Sequence, residues 1–244
     1  MGVASAEPLI PQRMILPTLA SAAPQAVLFD AYGTLFDVYS VGLLAEQLWP
    51  GQGSALALLW RDKQIDYTRL ASMSQRYRPF WDLTRAGLRF ACEKLSLPLT
   101  REAEDRLMNQ YRHLSAFPEN RAVLQALKDR GIRAGILSNG DPDMLAVAIK
   151  SAGLSDLIDP VLSAHVVQRF KTDPVVYQLG PDALGLPARK ILFVSSNGWD
   201  AIGATWFGYT TLWINRAQGP LERLDTQPTR IGSSLREVLD FFPA

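Results

Sequence analysis

The sequence predicts an α/β fold: a doubly wound parallel sheet with a helical cap inserted after the first strand. Three observations carry this. Ala26 to Phe29 is a short apolar run of β-formers that ends in Asp30 and turns at Gly33. From Phe117 onward, apolar runs alternate with amphipathic stretches, the pattern of parallel strands joined by crossover helices. Between the two, from about Val38 to Ser115, apolar residues recur at helical spacing with no strand-like run among them.

In the opening stretch, A-V-L-F-D-A-Y-G-T-L-F-D, Asp30 falls at the C-terminal end of a buried strand, where open α/β sheets bind ligands. Thr34 can return a hydroxyl to the same spot. Asp-x-x-Gly by itself reads equally well as an aspartate capping a turn. In the helical stretch the apolar stripes are Leu43, Leu44 and Leu48, then Leu56, Leu59 and Trp60, then Ile65, Tyr67 and Leu70. Pro50 with Gly51 and Gly53 separates the first two helices, and Gly87 to Leu95 and Arg101 to Leu114 continue the pattern.

Glu119 to Arg130 is an amphipathic helix with Val123, Leu124 and Leu127 on one face and Gly131 at its end. Ile132 to Leu137 is a buried strand running into Ser138-Asn139-Gly140. Asp141-Pro142 opens the next helix, with aspartate as N-cap and proline in the first turn, and Gly153 closes it. The device returns at Asp173-Pro174, just after Lys171, and Gly180-Pro181 predicts a kink or break in the helix that follows. Ile191 to Val194 is another buried strand, ending in Ser195-Ser196-Asn197. Ala201 to Phe207 is a short helix closed by Gly208, and Thr210 to Ile214 is the last strong strand. The predicted organisation is a Rossmann-like core over residues 25–37 and 116–244, a helical cap over 38–115 and an N-terminal extension over 1–24. Arg13, Met14 to Ala20 and S-A-A-P faintly suggest a secretory leader, but Pro17 and Glu7 interrupt it, so the extension reads as disordered or a leader.

With 48% hydrophobic and 20% charged residues in 244, the composition is that of an ordinary globular protein. A net charge of +1 offers no basic field for nucleic acid. No apolar run approaches the ~18 residues of a membrane span. Cys92 is the single cysteine, which suits a reducing cytoplasm, and it leaves no zinc constellation with His113 and His165.

Asp30, Ser138 with Asn139, and Ser195 with Asn197 all fall at strand ends that lie side by side in a parallel sheet. Lys171 adds a positive charge and Asp200 lies just past the Ser195 strand. Singly, each is an ordinary cap, turn residue or solvated charge, and Arg61 on position alone is a solvated helix arginine. Their joint placement argues for a site.

The strings F-D-A-Y-G-T-L, W-R-D-K-Q-I-D-Y-T, R-Y-R-P-F-W, L-S-N-G, F-K-T-D-P-V-V-Y, F-V-S-S-N-G-W-D and W-I-N-R resemble those of the L-2-haloacid dehalogenases, within the haloacid dehalogenase superfamily. The resemblance runs from about Gln25 to Arg216. It departs at Thr172, where proline is common, at Asp62, where glutamine is familiar, and at Gly198, positions that bear on fine substrate preference. It implies that Asp30 is a nucleophile and that Ser138 holds the substrate carboxylate. Arg61, Asn139 and Phe80 would cradle the halide, and Tyr32, Ile65 and Trp199 would form dry walls. Lys171 would keep Asp30 charged, Asp200 with Asn197 and Ser195 would direct the hydrolytic water, and Thr34 and Tyr177 would support them.

The implied partners are a small 2-haloacid and water, with no cofactor and no metal, and the implied assembly is a homodimer. The alternative is a metal-dependent phosphatase of the same superfamily. Such phosphatases carry a general acid where this chain has Tyr32, and a magnesium-holding G-D-x-x-x-D where it has S-S-N-G-W-D. A non-enzymatic binding relative would be expected to lack Asp30, Lys171 or Asp200. A serine hydrolase is set aside because no G-x-S-x-G occurs.

Overall fold

The structure, a computed structural model, describes residues 23–243. The extension expected over residues 1–24 falls, through residue 22, outside the described residues. A six-stranded, wholly parallel sheet has the order β3-β2-β1-β4-β5-β6. Strand β1 (Ala26–Phe29) sits at its centre, flanked by β2 (Arg133–Ser138) and β4 (Ile191–Ser195). All four β1 side chains are buried, which is why the strand is an unbroken apolar run and not an alternating one. Strand β5 is Thr210–Ile214, and the α/β class is as the sequence predicts.

Two strands escaped the sequence reading, β3 (Val161–Ser163) and β6 (Arg230–Gly232). Each has three residues and closes one edge of the sheet, so only tertiary pairing distinguishes it from a loop.

Four α-helices follow β1 in the chain: α1 (Val41–Leu48), α2 (Gly53–Met73), α3 (Phe80–Lys94) and α4 (Arg101–Arg112). Helices α5 (Asn120–Asp129), α6 (Pro142–Ser151), α7 (Pro174–Leu184) and α8 (Gly198–Phe207) connect the strands. No helix among the described residues is long and apolar enough to cross a membrane.

The break expected at Gly180-Pro181 is absent, and α7 runs through Pro181. Proline removes the N–H that would bond the carbonyl four residues earlier, that of Tyr177. The Tyr209 hydroxyl supplies the missing donor at 2.5 Å. Gly180 permits this, since a Cβ there would run into Tyr209 and Leu28.

Candidate active site

Going outward from β1 at the sheet centre, the chain crosses to β2 on one side and β4 on the other, so the strand order reverses beside Asp30. A crevice at such a switch point is the ligand site of open α/β sheets. Asp30 follows β1 directly, and its N–H bonds to the Val194 carbonyl of β4 at 2.8 Å. The turn after it needs Gly33, at φ +96°, a conformation that L side chains rarely adopt.

Asp30 is buried and held from several sides. Its Oδ1 receives Lys171 Nζ at 3.0 Å, and its Oδ2 receives the Thr34 hydroxyl at 3.0 Å and Asn197 Nδ2 at 2.8 Å. Thr34 in turn accepts the Ser196 N–H at 2.8 Å, which ties the β1 turn to the end of β4. Lys171 Nζ also meets Asp200 Oδ2 at 2.9 Å, and Tyr177 donates to Asp200 Oδ1 at 2.7 Å. Lys171 and Asp200 are 1% and 0% exposed, so one buried ammonium serves two carboxylates.

Burial works against the Lys171 charge, but the attraction of Asp200 and then Asp30 outweighs it, holding the ammonium above the ordinary lysine range. Burial pushes the Asp200 carboxyl up, and repulsion from Asp30 adds to this against the pull of Lys171. A raised carboxyl is a stronger base, a property useful for taking a proton from water.

Helix α2 carries Arg61 to this centre from the inserted helices. The guanidinium is 7% exposed and donates to the Tyr32 carbonyl at 2.9 Å, Asn197 Oδ1 at 3.1 Å and Gln64 Oε1 at 2.7 Å. Phe80 begins α3, its ring centroid 5.5 Å from Tyr32. Asn139 Oδ1 accepts the Lys171 backbone N–H at 2.9 Å, fixing the segment that carries the lysine. Tyr32 has a buried hydroxyl without a hydrogen-bond partner among the described residues, and its ring lies so close to Gly140 that a Cβ there would fall 2.6 Å from it.

The structure therefore brings Asp30, Thr34, Arg61, Asn139, Lys171, Tyr177, Asn197 and Asp200 into one hydrogen-bonded network, with Tyr32 and Phe80 packed beside it. Ser138 and Ser195 turn their hydroxyls to local backbone, accepting the N–H groups of Gly140 and Asn197 at 3.1 Å each. Ile65 and Trp199 take no part in these hydrogen bonds; both are partly exposed, with Arg69 5.4 Å above the Trp199 ring. Among the described residues no cluster of His, Cys, Asp and Glu is arranged to hold a metal ion.

One predicted role is corrected. Asp141 occupies the N-cap position of α6, but its side chain makes no cap bond there. The carboxylate accepts instead from the backbone N–H groups of Phe80 and Trp81, the first residues of α3. Pro79 precedes α3 and has no side chain able to cap it, which leaves these donors free for Asp141. Sequence reasoning also missed Gln64, although it stands inside the quoted W-R-D-K-Q string. Its spacing of three residues from Arg61 was the available signal.

A strand-end aspartate bonded to a buried lysine, with a serine/asparagine turn on each neighbouring strand, is the site that this chain carries on a sequence matching the haloacid dehalogenase-like hydrolases. The chain belongs to that family, whose model matches residues 24–208. Its relatives include the (S)-2-haloacid dehalogenase of Pseudomonas sp. (strain YL), 43% identical and aligned over 89% of this chain and 94% of that protein. A crystal structure of an L-2-haloacid dehalogenase superposes with a TM-score of 0.89 at 56% identity, covering 91% of this chain and all of the other. The L-2-haloacid dehalogenase from Xanthobacter autotrophicus, solved with chloropropionic acid covalently bound, gives a TM-score of 0.83 at 32% identity, over 91% and 100% of the two chains. The resemblance drawn from the sequence strings is borne out by these relatives.

Proposed function

We propose that this chain hydrolyses short-chain L-2-haloalkanoic acids to D-2-hydroxyacids through a covalent ester on Asp30. The observation that carries the reading is the Asp30 carboxylate, held at the switch point by Lys171, Thr34 and Asn197, with Tyr32 where a phosphatase would keep its general acid. A halide leaves without a proton, so a site that lacks such an acid suits it.

An Asp30 oxygen attacks the carbon bearing the halogen from the opposite side. The carbon–halogen bond breaks and its electron pair leaves with the halide, towards Arg61, Asn139 and the ring of Phe80. Donors placed where charge develops lower that barrier. Ser138 and nearby backbone N–H groups bind the substrate carboxylate, and Tyr32, Ile65 and Trp199 keep the carbon dry. Water then attacks the Asp30 carbonyl. Asp200 takes one of its protons and returns it to the alkoxide as the ester bond breaks, giving the hydroxyacid; Asp30, now carrying the water oxygen, loses the second proton to solvent. The first step inverts the carbon once and the second leaves it untouched.

Two supports favour this over a phosphatase: the covalent chloropropionic acid adduct of the Xanthobacter relative, and the S-S-N-G-W-D string, which has Ser196 where the phosphatase string has its first metal-holding acid. The test is halide release from a panel of 2-haloacids, with product chirality, in the presence and absence of a chelator. One turnover in heavy-oxygen water should label Asp30 and not the product. Labelled hydroxyacid beside unlabelled Asp30 would remove Asp30 as nucleophile, and magnesium-dependent release of phosphate from simple esters would favour the phosphatase.

A further inference from the structure

Arg61 is a buried cation without a carboxylate of its own. Among the described residues no acidic oxygen lies within 4.0 Å of its guanidinium, and Asp30 and Asp200 both pair with Lys171. Its partners are neutral oxygens, of which the shortest bond is to Gln64.

Gln64 is 0% exposed, and its surroundings fix which way its amide faces. Oε1 accepts from Arg61 at 2.7 Å and from the Tyr111 hydroxyl at 3.0 Å. Nε2 donates to the Thr84 hydroxyl at 2.6 Å. The one hydroxyl proton of Thr84 goes to the Phe80 carbonyl at 2.7 Å, so Thr84 must receive a donor from Gln64. An amide meets both demands and stays uncharged. A carboxylate of the same shape would keep the acceptor for Arg61, cancel its charge, and face Thr84 with a second acceptor.

We propose that Gln64 is a positioning residue for the anion site: it aims the Arg61 guanidinium and, being neutral, leaves that charge uncompensated for the departing halide. This rests on the reading of Arg61 as a halide ligand given above. It also links Arg61 to Phe80 through Thr84, so two members of the halide cradle share one buried hydrogen-bond chain.

The experiment compares the intact protein with its Gln64→Glu, Gln64→Met and Arg61→Ala variants. Each is assayed on 2-chloropropionate and 2-bromopropionate, for inhibition by free bromide, and for thermal unfolding. Gln64→Glu should bind bromide far more weakly and lose turnover, approaching the ~10²–10³-fold loss of deleting such a donor. The loss should be larger for the chloro substrate, whose poorer leaving group leans more on the cradle. Gln64→Met, which leaves the Arg61 charge free, should lose less.

Gln64→Glu matching Gln64→Met in bromide affinity and in both turnovers would overturn the proposal. So would rate losses that merely follow a lowered melting temperature with bromide inhibition unchanged. Should Gln64→Glu not fold, Thr84→Val gives the same test, because it frees the amide to turn its N–H2 towards Arg61. Weaker bromide binding supports the inference and unchanged binding overturns it. Failure of the underlying reading looks different: the unsubstituted protein would release no halide, or Arg61→Ala would bind bromide as well as it does.

Discussion

Asp141 Oδ1 accepts the backbone N–H of Phe80 at 3.0 Å, so a residue just past the end of β2 caps a helix that belongs to the insertion. Oδ2 takes the next N–H, that of Trp81, at 2.7 Å. The first donors of a helix have no partner within it, and its N-terminal end carries partial positive charge. One buried carboxylate therefore caps the start of α3 and holds Phe80 beside Tyr32.

Removing it should be felt at both levels. Asp141→Ala should destabilise the protein by about 1–2 kcal/mol, read as a lower midpoint in urea. Turnover should fall as well, because Phe80 is no longer fixed. Unchanged stability would mean that water satisfies the α3 donors equally well.

Tyr209→Phe tests why α7 survives its proline. Without the hydroxyl the Tyr177 carbonyl is left buried and unpaired, which costs about 1–3 kcal/mol. Tyr177 also bonds Asp200, so a fall in turnover should accompany the loss. A variant as stable as the unsubstituted protein would show that the carbonyl finds another donor.

Arg61→Ala should impair halide departure by ~2.7–4 kcal/mol of barrier, the cost typical of one lost donor to developing charge. Arg61→Lys should also be poor. Three neutral oxygens at 2.7–3.1 Å match a planar fork, and a point charge cannot meet them together. Near-normal turnover in either variant would move the halide site elsewhere.

The pH dependence follows from the direction of the Lys171 shift. A lysine raised on folding stabilises fully below its unfolded value of 10.5 and loses that contribution as pH rises through the folded value. The alkaline limb of kcat/KM should therefore lie above about pH 10. Melting temperatures should show no loss from this group at lower alkaline pH. A limb near pH ~8 would mean that the proton leaves Lys171 far more easily than its two carboxylates allow.

The sequence by itself determined the four longer strands of the sheet and the polar residues that end three of them. Asp30, Ser138 with Asn139, and Ser195 with Asn197 are each placed by a local apolar run that ends in a turn, and parallel order then brings such ends together. Arg61 was legible only through its string, since on α2 it is one of two arginines. What the tertiary structure alone decided is the choice of distant partners. Asp141 reads locally as the cap of its own helix, yet caps one that begins 61 residues earlier. Pro181 reads locally as a break, yet Tyr209 makes good its missing bond. Gln64 could face solvent at its place on α2, and only Thr84 and Tyr111 from neighbouring helices turn it on Arg61. Strand ends are encoded by composition within a few residues. Hydrogen-bond partners are chosen by burial, which obliges each polar group to find whichever complement packing has brought near, however far away in the chain.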